Sequence, residues 1–333
     1  MIPLAIAAAI LPVSVMASGP VLYGKIHFSL GSFDNGGSAA AGNEYKDTNL
    51  ASNSSRVGVK GSEDLGNGLK VGYKIEWGIS ADGSNGDMGQ RNRGITIGGG
   101  FGTIVLGRWD TPMKSLGYGT TGFFSDRYGD WHSLKGQGNS YIGGRHDNVV
   151  AYVSPNMSGV TAKFAYVLDA DGSNGANKND NNDNDAISST VVYKNGPIFV
   201  GAGYTKVMMT SATNPEEETD WRIGGSYKMG TTKIGANYTS VSDGRGIASN
   251  DFKFWNIGAS FGMGNNTIKA QYADKGEGVD GSDDGASLWS IGVDHKMSKR
   301  TTVYVDYGSL NNDAGSSLAF TAATGNESSI PSG

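Results

Sequence analysis

The chain has 333 residues, a net charge of −5 and no cysteine. The absence of cysteine excludes disulfide bonds, thiolate chemistry and cysteine-ligated zinc, and the mixed charge does not suggest a nucleic-acid-binding protein. Glycine, with 53 residues, is about twice as frequent as its usual ~7% share but follows no collagen period, so the chain is neither fibrous nor wholly disordered.

The first 17 residues differ from the rest, because they are almost entirely apolar and end in Val15-Met16-Ala17. This pattern is typical of a signal-peptide core followed by a small-residue cleavage site, although the usual basic segment is missing. We therefore predict a signal peptide over 1–17 and one domain over 18–333. The alternative is an N-terminal anchor helix, for which this length lies at the short limit. No later apolar run reaches about 18 residues, so the sequence predicts no transmembrane helix.

From residue 21 onward, apolar and polar side chains alternate in segments of roughly ten residues, the length of a strand that crosses a bilayer. In the first segment, Leu22, Ile26 and Leu30 are expected on one side and Lys25 on the other. The same alternation recurs at 71–79, 161–168, 221–228, 233–239, 268–272 and 302–307. Period two indicates β-strands, because successive side chains point to opposite faces.

Short and long connections alternate strictly between these segments. The short ones are 64–68, 98–102, 154–159, 195–197, 228–232, 262–266 and 296–300. The long ones are 33–53, 81–92, 110–147, 169–185, 207–219, 241–250, 275–286 and 310 onward. They separate fifteen predicted strands. Short turns at one end and long loops at the other are typical of an outer-membrane barrel with periplasmic turns and extracellular loops.

We predict an all-β fold, a 16-stranded antiparallel transmembrane β-barrel whose last strand is missing from this sequence. Since an open sheet edge is not viable in hydrocarbon, the natural chain is expected to continue for one more strand of about 9–11 residues. Sixteen strands enclose a lumen too wide for side chains to fill, so the polar face should line water and the apolar face should meet lipid.

Aromatic residues near the predicted strand ends would form the interfacial girdles of such a barrel. They are Tyr23, Trp77, Tyr152, Tyr193, Tyr204, Trp221, Tyr238, Trp255, Trp289 and Tyr307. The alternative is a soluble many-stranded β protein such as a propeller. The regular alternation of turns and loops, together with the absence of a blade repeat, disfavours it.

Four stretches of this sequence carry a resemblance to a known family: VLYGK (21–25), SRVGVKGSEDLGNG (55–68), FGTIVLGR (101–108) and YVSPNMSG (152–159). Together they resemble the trimeric general-diffusion porins of the Gram-negative outer membrane, in the neisserial and Burkholderia branch. The resemblance covers essentially the whole chain after residue 17. It implies sixteen strands, a homotrimer in contact with outer-membrane lipid and lipopolysaccharide, and a third extracellular loop folded into the lumen.

The segment 110–147 is the candidate for that loop. It is an irregular, aromatic-rich insert, and loops longer than about 15 residues are usually functional or disordered. Acids available on it are Asp110, Asp126 and Asp130. We expect these carboxylates to face a basic wall and to constrict the pore, where a low-dielectric surround strengthens the field on a passing ion.

The basic wall is predicted from strand parity and from the resemblance. Parity places five residues on the lumen face: Lys25, Arg56, Lys60, Lys74 and Arg145. The resemblance adds Arg93 and Arg108. Arg93 has the parity of the outward residue Ile95, so either a bulge intervenes or Arg93 lies above the membrane. The alternative for each base is an ordinary solvated rim charge.

Other motifs carry weaker signals. The GxGxxG match at 117–122 lacks a surrounding βαβ unit, and Asp130-Trp131-His132 has no accompanying GxSxG elbow. The four histidines lack metal-site spacing, and the acidic segment 169–186 does not fit an EF-hand. We therefore predict no enzyme activity and no cofactor, apart from weak divalent cation binding by acidic outer loops.

The predicted function is a water-filled channel for passive diffusion of ions and small hydrophilic solutes, with a weak preference for anions at the constriction. One alternative is a channel selective for sugars or organic anions, which an aromatic track from Phe123, Phe124, Tyr128 and Trp131 would favour. A barrel enzyme is the third possibility. Besides the resemblance, the Ile, Val, Gly and Thr residues of 94–107 support a trimer, because small and β-branched residues suit a flat contact between barrels.

Overall fold

The structure is a computed structural model that describes residues 18–36, 46–83, 88–135, 143–168, 185–208, 216–278 and 283–320. Its strands are β1 (Ser18–Lys25), β2 (Phe28–Asp34), β3 (Lys46–Ser52), β4 (Arg56–Gly66), β5 (Leu69–Gly78), β6 (Gly89–Gly99), β7 (Gly102–Asp110), β8 (Arg145–Val153), β9 (Val160–Val167), β10 (Asp185–Asn195), β11 (Ile198–Met208), β12 (Glu218–Met229), β13 (Thr232–Ser242), β14 (Phe252–Met263), β15 (Asn266–Lys275), β16 (Ala286–Lys296) and β17 (Thr302–Asn312). The α-helix α1 spans Pro112–Thr121, and short 3₁₀ helices span Trp131–Lys135 and Gly244–Gly246.

Fifteen strands form one antiparallel sheet in the order β1-β4-β5 and then sequentially to β17, while β2 and β3 pair separately. The prediction of an all-β, antiparallel fold is therefore confirmed. The structure has seventeen strand segments instead of the fifteen strands predicted within this sequence, because the first hairpin is broken on both sides, after Lys25 and between Ser52 and Arg56. Ser54, in the second break, has a left-handed φ of 50°, which interrupts the extended backbone. The signal peptide and the expected sixteenth strand lie outside the described residues.

The strand faces have opposite chemistry. In β14, Phe252, Phe254 and Asn256 are buried on the inner face, whereas Trp255 and Ile257 are exposed on the outer face. Three outer aromatic pairs lie at centroid distances of 5.2–5.4 Å: Trp221–Tyr238, Trp255–Tyr272 and Trp289–Tyr307. Outward apolar strands with aromatic pairs are typical of a sheet that faces lipid.

Tyr23 departs from the predicted aromatic girdle. Its hydroxyl donates to Glu76 Oε2 at 2.9 Å, and the Nζ atom of Lys60 lies 5.4 Å from its ring centroid. Tyr23 therefore lies on the inner face among charged groups.

Within the described part of the chain, no helix has the length and apolar character needed to cross a membrane.

The segment between β7 and β8, which we call the insert, packs on the inner face of the sheet. Met113 and Leu116 of α1, with Trp131 and Leu134, join a buried cluster that includes Phe254. The predicted bounds of 110–147 were too wide, because Asp110 still belongs to β7 and Arg145 already belongs to β8. The insert therefore covers 111–144, of which 136–142 is not described. Burying each large apolar side chain contributes about 1.5–3 kcal/mol, which attaches the insert to the wall.

Strands β6 and β7 approach closely at one register pair, Gly94 and Gly107. Gly107 has a φ of 130°, which L-residues rarely adopt, and an added Cβ would clash with the carbonyl oxygen of Arg93. This position requires glycine for both conformation and space.

Gly107→Ala should lower the free energy of unfolding by about 1–3 kcal/mol, the cost of a strained backbone conformation. Urea titration of the protein refolded in lipid vesicles would measure it. Gly100→Ala is the matched control, since a Cβ added at Gly100, in the adjoining turn, would meet open space. Equal unfolding free energies for the two variants would show that the close approach is not tight.

Candidate functional site

The insert begins with a well-capped helix. Thr111 Oγ1 accepts a hydrogen bond from Lys114 N at 3.3 Å, and Pro112 follows at the first helical position. Both features are typical of helix starts. At the other end, Gly122 N donates to Tyr118 O at 3.2 Å. The GxGxxG match thus falls in the last turns of α1 rather than between a strand and a helix, so it is no dinucleotide site.

Cationic side chains of the wall hold carbonyl oxygens of the insert. Arg222 Nη1 donates to Met113 O at 3.1 Å, Lys233 Nζ to Gly119 O at 3.2 Å, and Lys269 Nζ to Phe123 O at 3.0 Å. These bases lie on β12, β13 and β15, so they bind successive points along the insert. Hydrogen bonds from charged donors contribute about 1.5–3 kcal/mol each.

Neutral side chains complete the attachment beside α1. Asn237 Nδ2 donates to Thr121 Oγ1 at 2.6 Å, and Thr121 Oγ1 donates in turn to Asn256 Oδ1 at 3.1 Å. All three residues are buried. The end of α1 is therefore fixed to β13 and β14 by a short polar chain.

Two consecutive residues of opposite charge form the tip of the insert. Asp126, with a φ of 61°, lies 3.3 Å from Lys25 Nζ. Arg127 Nη1 lies 2.7 Å from Asp294 and 3.1 Å from Asp306. The tip thus contacts β1 on one side and β16 and β17 on the other, and it bridges the two edge strands of the large sheet.

The surroundings determine the charge of this tip. Burial alone would raise the pKa of Asp126, but Lys25 and Arg56 outweigh burial and hold that pKa below its usual value. Burial would lower the pKa of Arg127, but hydrogen bonding to Asp294 and attraction to Asp306 raise it. Both side chains are therefore ionised at neutral pH.

The last strand also approaches the first hairpin directly. Tyr304 OH on β17 donates to Phe28 O at 2.9 Å and lies 2.9 Å from His27 Nε2, just after β1. The guanidinium of Arg127 stacks 3.7 Å from the Tyr304 ring centroid. The sheet therefore curls around the insert until β17 contacts the residues that follow β1.

Opposite the tip, β1, β4, β5, β6 and β8 carry the basic side of the site. Glu76 binds Lys74 Nζ at 3.2 Å and Arg91 Nε at 2.7 Å. Register places Lys25 opposite Arg56 and Lys60 opposite Lys74, so these four bases share the inner face.

Arg145 joins this side through Asp110. Asp110 Oδ1 lies 3.0 Å from Arg145 Nη2 and 2.8 Å from Lys114 Nζ, and its other oxygen accepts from Asn92 Nδ2 at 3.0 Å. This corrects the placement of Asp110 on the loop, because it ends β7 and pairs both with Arg145 of the wall and with Lys114 of the insert.

Asp130 also differs from its prediction. Its carboxylate accepts hydrogen bonds from the backbone N–H groups of Asp126 and His132 at 3.2 and 3.1 Å, and it contacts His132 Nδ1 at 2.7 Å. Asp130 is buried and closes the insert on itself instead of facing the basic wall. Of the three predicted acids, Asp126 is the one that faces this wall.

Arg93 and Arg108 are corrected as well. They are register partners, and Arg93 is also paired with the outward residue Ile75. Arg93 lies over the Trp77 ring at 5.9 Å, while Arg108 Nη1 binds Asp147 at 2.9 Å. Both lie on the outer face near the long-loop end of the strands. Strand parity was right for Arg93, and the position carried over from the resemblance was wrong.

Comparison with known proteins agrees with this architecture. The family model of the Gram-negative porins matches residues 4–315. The chain belongs to the Gram-negative porin family. The family and the fold favour a channel over an enzyme, and the predicted outer-membrane location is confirmed.

Two relatives of this porin share part of its sequence. It is 28% identical over 195 residues to outer membrane porin protein 32 of Delftia acidovorans, covering 57% of this chain and 55% of that protein. It is 34% identical over 131 residues to major outer membrane protein P.IB of Neisseria gonorrhoeae, covering 38% and 36%. The matched regions thus span about half or less of these relatives.

Two solved structures are similar in fold. An anion-selective porin from Comamonas acidovorans has a TM-score of 0.74 and 26% identity, with 95% of both chains covered. OmpF of Salmonella typhi, in complex with daunomycin, has a TM-score of 0.70 and 17% identity, covering 89% of this chain and 92% of that one.

The porin site contains residues that parity did not find. The register between β5 and β6 shifts between Ile75 and Trp77, so Arg91 and Asn92 have no register partner on β5. The predicted bulge is therefore present, but the residue that it turns to the inner face is Arg91, which binds Glu76, and not Arg93. The sequence shows that Arg127 is a charged residue of the loop and Glu76 a charged residue of the lumen face. It does not show which side chains they bind.

The acidic segment 169–186 lies outside the described residues except for its last two positions. Weak divalent cation binding there stays a prediction.

Arg127→Ala should lower the free energy of unfolding by about 1–3 kcal/mol, because it leaves Asp306 without its partner and removes one of the two partners of Asp294. Urea titration of the vesicle-inserted porin would measure it. Lys46→Ala is the control, since Lys46 and Asp34 form an ion pair in which both side chains are more than half exposed, and it should change stability little. If Arg127→Ala is as stable as the control, the tip does not anchor the insert.

Proposed function

We propose that this porin is a water-filled channel for passive diffusion of ions and small hydrophilic solutes, and that its constriction favours anions. One observation carries the preference: Arg56 and Lys60 lie on the inner face, and neither forms an ion pair with a carboxylate of the described residues. Their positive charge is therefore available to attract a passing anion.

The charges between the insert and the basic side support this. Seven bases line the region, namely Lys25, Arg56, Lys60, Lys74, Arg91, Lys114 and Arg145. Three carboxylates accompany them, those of Glu76, Asp110 and Asp126. A narrow lumen with an excess of fixed positive charge concentrates anions and repels cations. The solved structure from Comamonas acidovorans, described as an anion-selective porin, is consistent with this direction.

Closure of the sheet into a 16-stranded barrel is part of the proposal. Contacts of Tyr304 with Phe28 and His27 bring β17 beside the first hairpin. In a closed barrel the strand edges are paired, because unpaired N–H and C=O groups are not tolerated in hydrocarbon.

The alternative of a solute-selective channel receives less support. Phe124 and Trp131 are almost fully buried inside the insert, so they do not form an aromatic track along the lumen. Phe123 is near Lys233, and Tyr128 packs against Phe33 with centroids 4.6 Å apart.

The reversal potential in a KCl gradient across a planar bilayer tests the anion preference. Wild-type protein should approach the chloride equilibrium potential, and Arg56→Gln with Lys60→Gln should move the reversal potential toward zero. Lys206→Gln with Lys253→Gln is the matched control, because it removes equal charge from the outer face of β11 and β14. An unchanged reversal potential in the first variant would contradict the assignment, and absence of conductance would contradict the channel itself.

The homotrimer is proposed on the outer surface of β6 and β7. This surface combines the exposed Ile95 with its outward aliphatic neighbours Ile97, Ile104 and Leu106, and it allows a flat contact between barrels. Light scattering of the detergent-solubilised porin should give three protein chains per particle. Ile95→Arg should reduce that number, whereas Ile257→Arg on β14 should not. A monomeric wild-type particle would contradict the proposal.

A further inference from the structure

A row of aligned residues crosses the inner face of the sheet at its short-turn end, the end where the connections such as 229–232 lie. Successive register partners from β12 to β17 are Lys228, Lys233, Ser260, Lys269, Gly292 and Asp306. Directly opposite residues share a face. Three lysines thus lie on three of four consecutive strands at one level, and we call Lys228, Lys233 and Lys269 the lysine row.

Contacts with the insert fix the direction of this row. Lys233 Nζ donates to Gly119 O, and Lys269 Nζ donates to Phe123 O, so both point into the lumen. Lys228 is the partner of Lys233 and is exposed. The next residue, Met229, is exposed on the apolar outer face, as alternation requires. The row therefore lines the lumen directly beneath the insert.

The carboxylates near the row are already bound. Asp306 pairs with Arg127, and Asp294 pairs with both Arg127 and Lys269. Within the described ranges, Lys228 and Lys233 have no carboxylate partner. Positive charge is thus least compensated at the β12–β13 end of the row.

More lysines surround this end of the lumen. Lys194 on β10 is the register partner of Phe199, whose ring lies against Gly119 of the insert, so Lys194 also faces inward. Lys163 on β9 is paired with the buried residue Thr190. Among the described residues, neither lysine forms an ion pair. The excess of positive charge therefore extends across β9–β13.

From this arrangement, and resting on the proposed channel function, we propose that the lysine row is a second anion site below the constriction and that it takes small multivalent oxyanions. Neighbouring strands are about 4.8 Å apart, so Lys228 and Lys233 can together bind two oxygens of one anion, whereas Lys269, which is buried and bound to Asp294 and Phe123 O, contributes only its charge. That spacing suits an anion with several carboxylates or phosphate oxygens rather than chloride. Two sites in series let an anion leave the constriction without a large barrier.

The test uses citrate as the probe in single-channel recordings at fixed KCl. Citrate should reduce chloride conductance of the wild-type porin at a defined half-effect concentration. Lys228→Gln with Lys233→Gln should raise that concentration roughly fivefold, the scale of one or two partly exposed charge contacts. The control Lys206→Gln with Lys253→Gln should leave it unchanged.

Lys233 also holds the insert, so Lys228→Gln alone is the second variant. Among the described residues, Lys228 makes no contact with the insert, and its substitution should weaken the citrate effect without releasing the insert. Equal citrate sensitivity of this variant, the double variant and the wild type would overturn the second site. Loss of all conductance in the wild type would instead overturn the channel proposal.

Discussion

Hydrogen bonds from wall cations to backbone carbonyls of the insert are the interaction on which the remainder of this site depends. Arg222, Lys233 and Lys269 each hold one carbonyl oxygen, and together they fix the insert along several neighbouring strands of the sheet. A long irregular segment would otherwise lose its position through conformational entropy. With its backbone held from β12 to β15, the insert leaves open space on the opposite side, against the basic strands.

The charged side chains around the tip of the insert form two sets with different roles. On one side, Arg127 and Lys269 balance the charges of Asp294 and Asp306, and Arg127 positions the tip. On the other side, Lys25 holds Asp126 while Arg56 and Lys60 have no such partner among the described carboxylates. At the level of the tip, consecutive residues of opposite charge thus separate a side that anchors the insert from a basic side that faces the solute.

The sequence predicted the sheet well because period-two alternation and turn length are local properties. The fifteen strands of the large sheet and their connections follow that pattern closely. It did not predict the broken first hairpin, since Ser54 carries no clear break signal. In the site, parity placed Lys25, Arg56, Lys60 and Lys74 on the inner face. Parity failed at Arg91, where a bulge changes the register, and no sequence pattern marks which carbonyl a lysine will bind. The lumen position predicted for Arg93 was wrong because it was taken from the family resemblance and not from strand parity.

The bridge formed by the tip of the insert has a consequence for assembly. Lys25 lies near one end of the chain and Asp306 near the other, yet both contact neighbouring residues of the same short turn. Such contacts have very large sequence separation, and chain entropy makes them form late. The insert must already lie inside the curling sheet when these contacts form, because its tip supplies the residues that join the two sides. Approach of the sheet edges and placement of the insert are therefore one cooperative final step in folding.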